Sequence, residues 1–303
     1  MERLIGVDVS VFNGTIDWKK VKADGIEFAI LKATQGKDAK YPNGFVDSTF
    51  ERNYKDAKAA GIKLGVYHFA VFTNESQSKE EAKQFLDAIK GKTFEYPLCL
   101  DLEDLPGGRS PILTKVLTKK QLTDYSIIFF DELIKNGHRV MLYTNTDWRT
   151  SKLDYSRLSQ YNLWQAHYPF GYLEKTMDFL NANRPKAIDN KVSIWQCTSM
   201  GKVNGITGNV DMNFDYVGMS NTLSTPNPIA PTKPNDPQFN MNDKVRVKSG
   251  SKWSNGVGIA SFVFNSDMYI VSNISNDKTV CISTSKGGAI TGRISIDNLT
   301  ELQ

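Results

Sequence analysis

Two spacings of hydrophobic residues, one typical of buried strands and one typical of helices, alternate along the first 215 residues of the chain. Short apolar runs predict buried strands, and between them apolar residues recur at the spacing of three and four that is typical of helices. The predicted strands are Leu4–Ser10, Glu27–Thr34, Lys63–Phe69, Pro97–Glu103, Arg139–Thr144, Asn162–Tyr168, Val192–Cys197 and Asn209–Phe214. The first five alternate with helices, as in parallel α/β folds, and the helices then become sparse. Eight strands in so short a stretch favour a closed barrel over an open sheet.

Capping signals mark where several of the helices begin. Asp17 is expected to cap a short helix, and a second helix is expected around 50–61. The patterns Ser78-x-x-Glu81 and Thr118-x-x-Gln121 predict capping boxes at the start of two longer helices. A weaker helical pattern lies around 173–181.

The sequence changes in character after residue 218. Residues 219–240 contain five prolines and predict a semi-rigid linker that cannot build a core. Beyond it, short strands are predicted at Lys244–Lys248, Gly258–Phe262, Met268–Ser272, Thr279–Ser283 and Arg293–Ile296. They indicate a small antiparallel β-barrel. We therefore divide the chain into a barrel domain (1–218), a linker (219–240) and a small all-β domain (241–303).

Composition and charge exclude several classes of protein. The net charge is only +4 and the basic residues form no stripe, so a nucleic-acid partner is not expected. Cys99, Cys197 and Cys281 are widely spaced, which argues against a disulfide framework, and neither they nor the histidines have the spacing of a metal site. We expect no metal or other cofactor. No apolar run reaches the ~18 residues of a membrane span, and the N-terminus lacks the apolar core of a secretory signal.

Four carboxylates fall on the predicted barrel strands. Asp8 ends the first strand, Asp101 and Glu103 end the fourth, and Asp211 belongs to the eighth. The C-terminal ends of strands form the functional mouth of a parallel barrel, and closure brings Asp8 and Asp211 side by side. Alternate residues of a strand share a face, so Asp101 and Glu103 are expected to point the same way. Such a pair is typical either of a structural ion-pair network or of general acid catalysis.

Aromatic and amide side chains on the same strands complete the candidate site. Aromatic faces stack on sugars, and paired carboxylates cleave glycosidic bonds. For the two tryptophans of the barrel, simple core packing is an equal alternative, and the Cys99 thiol is expected to be packed and inert. In the small domain, Trp253 is the candidate contact for a ligand. The expected substrate contacts in the barrel are Tyr67, Tyr143, Trp164, Trp195, Gln196 and Asn213.

Six motifs in order resemble glycoside hydrolase family 25, the lysozymes of the Chalaropsis type. They are Asp8-Val-Ser10, Gly65-Val-Tyr-His-Phe69, Leu100-Asp-Leu-Glu103, Leu163-Trp-Gln-Ala-His-Tyr168, Trp195-Gln196 and Val210-Asp-Met-Asn213. The resemblance covers roughly residues 1–217 and implies an α/β fold, an irregular TIM-like (β/α)5(β)3 barrel. It implies a muramidase that cleaves the β-1,4 bond between N-acetylmuramic acid and N-acetylglucosamine in peptidoglycan.

The resemblance also implies roles for the acids, with Glu103 as the general acid and Asp101, Asp8 and Asp211 around it. Glu103 must hold a proton near neutral pH, and Asp101 and the aromatic wall are expected to raise its pKa while Asp101 stays ionised. Asp101 would then hold the 2-acetamido N–H of the substrate or steady an oxazolinium-like intermediate. Activation of a water molecule by Asp211 is the competing role.

The region from about 240 to 303 resembles bacterial SH3-like wall-binding domains. Together with the linker and the missing signal, this organisation resembles a bacteriophage endolysin that is made in the host cytoplasm and then acts on a Gram-positive wall. A bacterial autolysin is the alternative. An internal start at Met219 or Met241 would release free C-terminal modules, so this module is a candidate for self-association.

Two other classes of protein compete with a muramidase. A chitinase of the related barrel type requires Asp-x-x-Asp-x-Asp-x-Glu, and aligned on Glu103 this chain has Tyr96, Cys99 and Asp101, so two acids are missing. A glycan-binding protein without activity would not need the full set of four acids. Nucleotide binding is disfavoured because no glycine-rich phosphate loop follows the first strand.

Overall fold

The computed structural model describes residues 4–105, 107, 111–169, 171, 173–183, 189–218, 239, 241–272 and 278–302. The chain divides between residues 229 and 230 into two compact units. Of the predicted linker, 219–238 and 240 lie outside the described residues, as does the candidate start Met219, so the bounds of the linker stay a prediction. Phe239, which the sequence assigns to the linker, is buried in the core of the second unit.

The first unit is a mixed α/β fold around a closed sheet. Eight strands form a ring in the order β1-β10-β9-β7-β6-β5-β4-β2, and pairing of β2 with β1 closes it. Two short strands extend the sheet beyond this ring: β3 pairs with β2, and β8 pairs with β9. The strands are β1 (Leu4–Val9), β2 (Phe28–Gln35), β3 (Phe45–Val46), β4 (Lys63–Phe69), β5 (Leu98–Asp101), β6 (Val140–Asn145), β7 (Asn162–Ala166), β8 (Lys175–Thr176), β9 (Val192–Lys202) and β10 (Val210–Asp215).

One strand of the ring runs against the others. β10 is antiparallel to both of its neighbours, β1 and β9, whereas the remaining ring pairs are parallel. The expectation that Asp211 lies at the C-terminal end of its strand is therefore wrong. Asp211 is the second residue of β10, and it reaches the same mouth as Asp8 because the strand is reversed.

Helices cover the outer face of the ring. They are α1 (Trp18–Ala23), α2 (Phe50–Ala59), α3 (Glu75–Ala88), α4 (Leu113–Val116), α5 (Lys119–Lys135), α6 (Tyr155–Leu158) and α7 (Met177–Ala182). Strand residues of one parity, such as Val7, Leu31 and Leu100, pack with these helices in one large core. Residues of the other parity fill the barrel in a second core that includes Phe28 and the predicted buried thiol Cys99.

Close approach inside the barrel requires a small residue at position 6. A Cβ added to Gly6 would lie 2.4 Å from the ring of Phe28. Phe28 in turn stacks on Tyr96, with ring centroids 4.8 Å apart. These aromatic rings close the lower part of the barrel, and the polar residues of the same parity are left at its mouth.

Two of the three predicted caps agree with the structure. Asp17 caps α1, and Thr118 with Gln121 forms the capping box of α5. The box predicted at Ser78-x-x-Glu81 is wrong, because α3 already begins after Asn74, whose side chain accepts a hydrogen bond from the N–H of Gln77. The Ser78 hydroxyl instead donates to a backbone carbonyl of α5, and Glu81 lies 2.9 Å from Nε2 of the buried His68.

In its described residues the second unit is an all-β domain with a short α-helix and a 3-10 turn at Ile296–Asn298. Its antiparallel strands are β11 (Lys244–Val247), β12 (Met268–Ile270), β13 (Thr279–Ser283), β14 (Gly292–Ser295) and β15 (Leu299–Glu301), in the order β14-β13-β12-β11-β15. The strand predicted over 258–262 is wrong, because α8 (Ser261–Asn265) begins there and places Val263 in the core. β15 was not predicted, and the SH3-like topology stays a prediction.

Candidate active site

Four carboxyl groups meet at the mouth of the barrel, and we call them the acid cluster: Asp8, Asp101, Glu103 and Asp211. Asp8 and Asp211 are register partners across β1 and β10. Asp101 is the last residue of β5. Glu103 follows the strand by two residues rather than belonging to it, because β5 ends earlier than the hydrophobic pattern predicts.

The pair formed by Asp8 and Asp211 is held by amide groups. Asn213 Nδ2 and Gln196 Nε2 donate to the same oxygen of Asp8, Oδ2, at 2.7 and 3.0 Å. Burial raises the pKa of Asp8 to about 6, although these hydrogen bonds lower it. Burial and the charges of Asp8 and Glu103 raise the pKa of Asp211 well above its usual range. A hydrogen bond between the two carboxyl groups lowers the pKa of Asp8 and raises that of Asp211, which favours a shared proton carried by Asp211.

Glu103 has the pKa that a general acid needs at neutral pH. Burial, followed by the charge of Asp8, raises its pKa to about 7, and the charge of Lys32 opposes this rise. The matching of pKa to working pH makes proton donation efficient. The sequence predicts two causes for this rise, desolvation and the charge of Asp101. Desolvation is indeed the larger cause, whereas the repulsion between the two carboxyl groups raises the pKa of Asp101.

Asp101 is the most confined member of the acid cluster. Its Oδ1 is buried and has no hydrogen-bond partner among the described residues. Burial and the charge of Glu103 raise the pKa of Asp101 well above its usual range, while Lys32 lowers it. Burial and the charge of Glu103 thus oppose the ionised state that the sequence predicts for Asp101, and the charge of Lys32 favours it. A donor presented to Oδ1 would favour its ionised form.

A hydrogen-bonded frame surrounds the acid cluster. The hydroxyls of Tyr143 and Tyr168 both donate to Gln196 Oε1, at 2.9 and 2.7 Å, which fixes the amide that holds Asp8. The indole N–H of Trp164 donates to Asn213 Oδ1 at 2.7 Å. Among the predicted contacts, the structure thus brings Tyr143, Trp164, Gln196 and Asn213 together.

Tyr67 and Lys32 complete the wall beside Asp101. Tyr67 packs edge-on against Trp164, and burial and the charge of Asp101 raise its pKa well above its usual range. Lys32 is buried, with Nζ 5.9 Å from the centroid of the Tyr67 ring. Sequence reasoning missed Lys32 and Tyr168. A signal for Lys32 was present, because it has the parity of Phe28 and Ile30 and therefore faces the barrel interior.

Two of the predicted contacts lie elsewhere. Trp195 is on the opposite face of β9 from Gln196, is 4% exposed, and donates its indole N–H to the carbonyl of His167. Its prediction as a substrate contact is wrong, because neighbouring residues of a strand point to opposite faces. Trp253 belongs to the second unit, where it is half-buried against the core and covers Gly292. Its prediction as a wall contact stays a prediction.

Within the described residues, no group of His, Cys, Asp or Glu has a geometry suited to holding a metal ion. In the same part of the chain, the helices are too short or too polar to cross a bilayer.

Comparison with known proteins places the first unit in a family of glycosyl hydrolases. The profile of Glycosyl hydrolases family 25 matches residues 7–206. An autolytic lysozyme of Clostridium acetobutylicum is 29% identical over 208 residues, which cover 69% of this chain and 54% of that protein. The chain thus spans about half the length of this curated relative.

Two solved structures share the fold at 28% sequence identity. The CTP1L endolysin has a TM-score of 0.55, and the match covers 72% of this chain and 68% of that one. A bacterial lysozyme from Streptomyces coelicolor has a TM-score of 0.56, with 69% of this chain and 90% of that one covered. The activity of the CTP1L endolysin is regulated by a secondary translation product.

Proposed function

Because the chain belongs to glycosyl hydrolase family 25, we propose that its first unit is an N-acetylmuramidase. It cleaves the β-1,4 bond between N-acetylmuramic acid and N-acetylglucosamine in peptidoglycan. The observation that carries this proposal is Glu103, a half-buried carboxyl with a pKa raised to about 7, next to a second carboxyl with an unpartnered oxygen.

Glu103 acts as the general acid. It gives its proton to the glycosidic oxygen as the bond between that oxygen and C1 of muramic acid breaks, and positive charge develops at C1. Water then adds to C1 and returns a proton to Glu103. One side chain thus serves first as acid and then as base, which its pKa near neutrality permits.

Asp101 orients the reacting sugar. Its buried Oδ1 accepts the N–H of the 2-acetamido group, and this hydrogen bond ionises Asp101 and leaves the remaining proton on Glu103. The acetamido carbonyl oxygen is then directed at C1, where it stabilises the positive charge as an oxazolinium-like intermediate. The proposal is therefore one of substrate-assisted cleavage, in which Asp101 holds the assisting group.

The pair of Asp8 and Asp211 positions this machinery. The pair carries one negative charge, which lies near Glu103 and keeps its pKa high. Because the pair already shares a proton, Asp211 is poorly suited to the competing role as a base for water. We therefore assign the pair to electrostatic tuning of the general acid.

The test is hydrolysis of Gram-positive cell walls by the full chain and by Glu103→Gln. We expect wild-type protein to clear a wall suspension and to release muramic acid at the new reducing ends. Glu103→Gln should lose at least a hundredfold in rate, whereas Glu80→Gln, which changes an exposed carboxyl on α3, should keep it. Hydrolysis that survives Glu103→Gln would remove the acid assignment, and glucosamine reducing ends would indicate a glucosaminidase.

We also propose that the second unit binds the wall through Trp253 and that the protein acts in lysis, passing from the cytoplasm of a host to its wall. Likeness to the CTP1L endolysin and the presence of a separate all-β unit support a phage endolysin. An autolysin is the second candidate, supported by the Clostridium acetobutylicum relative. Pelleting of Trp253→Ala with purified walls tests the first point, since unchanged binding would contradict it.

An internal start at Met241 would make free copies of the second unit that join the full chain. Met241 is exposed and precedes β11, so such a product would keep every strand of that unit. Expression of the intact gene should then give a small fragment beside the 34.0 kDa band, and Met241→Leu should remove it. A single band from the unmodified gene would contradict this proposal.

A further inference from the structure

Strand β2 contains a bulge directly after Lys32. Lys32 is the register partner of Tyr67 in β4. The next pair is Thr34 with His68, which leaves Ala33 as an extra residue in β2. Bulges are frequent next to active sites, where they turn a side chain to another face of the sheet. Here the neighbouring residue is the buried cation whose charge acts on the acid cluster.

The bulge reverses the faces of the two residues that end β2. Lys32 points into the barrel, and in a regular strand Thr34 would point the same way. Thr34 instead faces outward, and Gln35 faces inward, where its Oε1 accepts a hydrogen bond from Lys32 Nζ at 2.9 Å. Nε2 of the same amide donates to Asp38 Oδ2 at 2.9 Å. The bulge thus supplies the acceptor that holds the ammonium group.

A chain of hydrogen bonds fixes the bulge from the outer face of the barrel. Thr34 Oγ1 and His68 Nδ1 are 2.8 Å apart, and His68 Nε2 lies 2.9 Å from Glu81 Oε2. A carboxylate only accepts, so the neutral imidazole donates from Nε2 and accepts the threonine hydroxyl at Nδ1. All three side chains are buried. We call these three residues the bulge anchor.

The bulge anchor is held between β4 and two helices. The ring of His68 stacks on Phe129 of α5, with ring centroids 5.2 Å apart. Glu81 of α3 also accepts the N–H of Val71, just beyond β4, at 3.1 Å. β4 and α3 thus supply the two titratable groups of the anchor, and α5 supplies an aromatic wall. Packing on these sides gives the hydroxyl of Thr34 a fixed partner.

Charged and titratable groups approach Lys32 from several elements. Its charge acts on Asp101, which ends β5, and on Glu103 beyond that strand. β4 contributes the phenol of Tyr67, whose ring centroid is 5.9 Å from Nζ, and the loop after β2 contributes Asp38, which binds the amide acceptor. An ammonium group that lost this acceptor would be drawn toward the negative charges of the acid cluster. A shorter distance makes its interaction with them stronger.

We propose that the bulge anchor positions Lys32. It holds the bulge, and the bulge keeps the ammonium group on the Gln35 amide and back from Glu103. Without the anchor, β2 returns to regular alternation, with Thr34 inward and Gln35 outward. The members of the anchor lie outside the barrel and act through Lys32, so they are positioning residues. The inference rests on the proposed function for the role of Glu103 as the general acid.

The test removes one hydroxyl group by Thr34→Val, which keeps the shape and the β-branching of the side chain. The assay is the pH dependence of kcat/KM on soluble glycan strands, measured with the full chain. We expect the basic limb to move to lower pH by about 0.5, the effect of shortening a charge separation from about 10 to 7 Å. Thr34→Ser returns a hydroxyl and should restore the wild-type limb. Thr123→Val removes an equally buried hydroxyl from α5 and should leave the limb in place.

The double variant Thr34→Val with Lys32→Met separates positioning from simple destabilisation. Once the ammonium group is gone, loss of the hydroxyl should move the limb no further than Lys32→Met alone does. A limb that stays in place in Thr34→Val would overturn the inference and would assign the bulge to the bond between Gln35 and Asp38. A limb that moves to higher pH, or that moves equally with and without Lys32, would also overturn it.

Titration of the Glu103 carboxyl by NMR separates this inference from the proposed function. The signal is assigned by its loss in Glu103→Gln, and the titration needs no substrate. Its midpoint must fall in Thr34→Val even if the wild-type protein hydrolyses no glycan. An unchanged or raised midpoint would overturn the inference and would leave the acid role of Glu103 untouched.

Discussion

Replacing Lys32 with Met is expected to move the basic limb of the pH–activity profile to higher pH. Lys32 is buried on the inner face of β2, and its positive charge lowers the pKa of both Asp101 and Glu103. Methionine keeps most of the volume and removes the charge. The acid form of Glu103 then persists to higher pH, because the charge of Lys32 no longer favours its carboxylate.

The strand register gives the size of the effect. Lys32, Tyr67 and Cys99 are aligned across β2, β4 and β5. Neighbouring strands lie about 4.8 Å apart, so the Cα atoms of Lys32 and Cys99 are roughly 10 Å apart, and we take this spacing for the distance over which the charge acts on the carboxyls that follow Cys99. At an effective dielectric constant of about 20, this separation is worth roughly 1.7 kcal/mol, a change of about one in the pKa. The pKa of Glu103 should therefore rise from about 7 to about 8.

The assay is the pH dependence of kcat/KM on soluble glycan strands, because its basic limb reports the acid of the free enzyme. Lys37→Met is the matched control, since it removes an equal charge from an exposed position near the end of β2 and should leave the limb in place. A limb that stays put in Lys32→Met, or moves to lower pH, would refute the electrostatic reasoning. The same limb shift in both variants would show only a general effect of net charge.

Three further predictions concern stability. Asn213→Ala leaves the indole N–H of Trp164 without its acceptor and removes a hydrogen bond to Asp8. It should lower the free energy of unfolding, measured with denaturant, by about 2–3 kcal/mol. Gly292→Ala would place a Cβ 2.4 Å from a ring carbon of Trp253. In calorimetry it should lower the melting temperature of the second unit and leave that of the first unchanged. Glu103→Gln should be more stable than wild type at pH 8 by up to about 3 kcal/mol, and the two should converge near pH 4.

The sign of the last prediction follows from linkage. The pKa of Glu103 in the folded protein is above its unfolded value, so between about pH 4 and 7 the folded state binds more protons and loses stability as pH rises. Gln titrates in neither state. A wild type as stable as Glu103→Gln at pH 8 would contradict the raised pKa. Gly258→Ala is the control for Gly292→Ala, because its Cβ meets open space. For Asn213→Ala, a loss of unfolding free energy below about 0.5 kcal/mol would contradict the cost assigned to a buried N–H without an acceptor.

The sequence predicts the ring of strands well because each strand is buried on both faces. Such strands are continuous apolar runs, and their polar exceptions stand out, which is why Asp8, Asp101 and Asp211 were found. Strand direction leaves no mark in such a run, so the reversal of β10 was not predictable. Its consequence is that Asp211 meets Asp8 from the opposite end of its strand.

The errors in the site come from side-chain parity and from competing partners. Trp195 and Gln196 are adjacent in β9, so only one of them faces the barrel, and the alternation itself should have excluded the tryptophan. Lys32 was overlooked because a lysine in a buried strand contradicts the usual preference of charged residues for the surface. The false cap at Ser78 shows that a local pattern of polar residues is equally well satisfied by tertiary hydrogen bonds.

Closure of the ring by its first and last strands has a consequence for biosynthesis. β1 pairs with β10, and the acid cluster joins Asp8 to Asp211, whose codons lie near opposite ends of this unit's coding sequence. At a translation rate of about 5–20 residues per second, roughly 10–40 s separate the synthesis of these two residues. A nascent chain on the ribosome therefore holds β1 with one edge open and carries no assembled site. The acid cluster is therefore complete only once translation has passed β10.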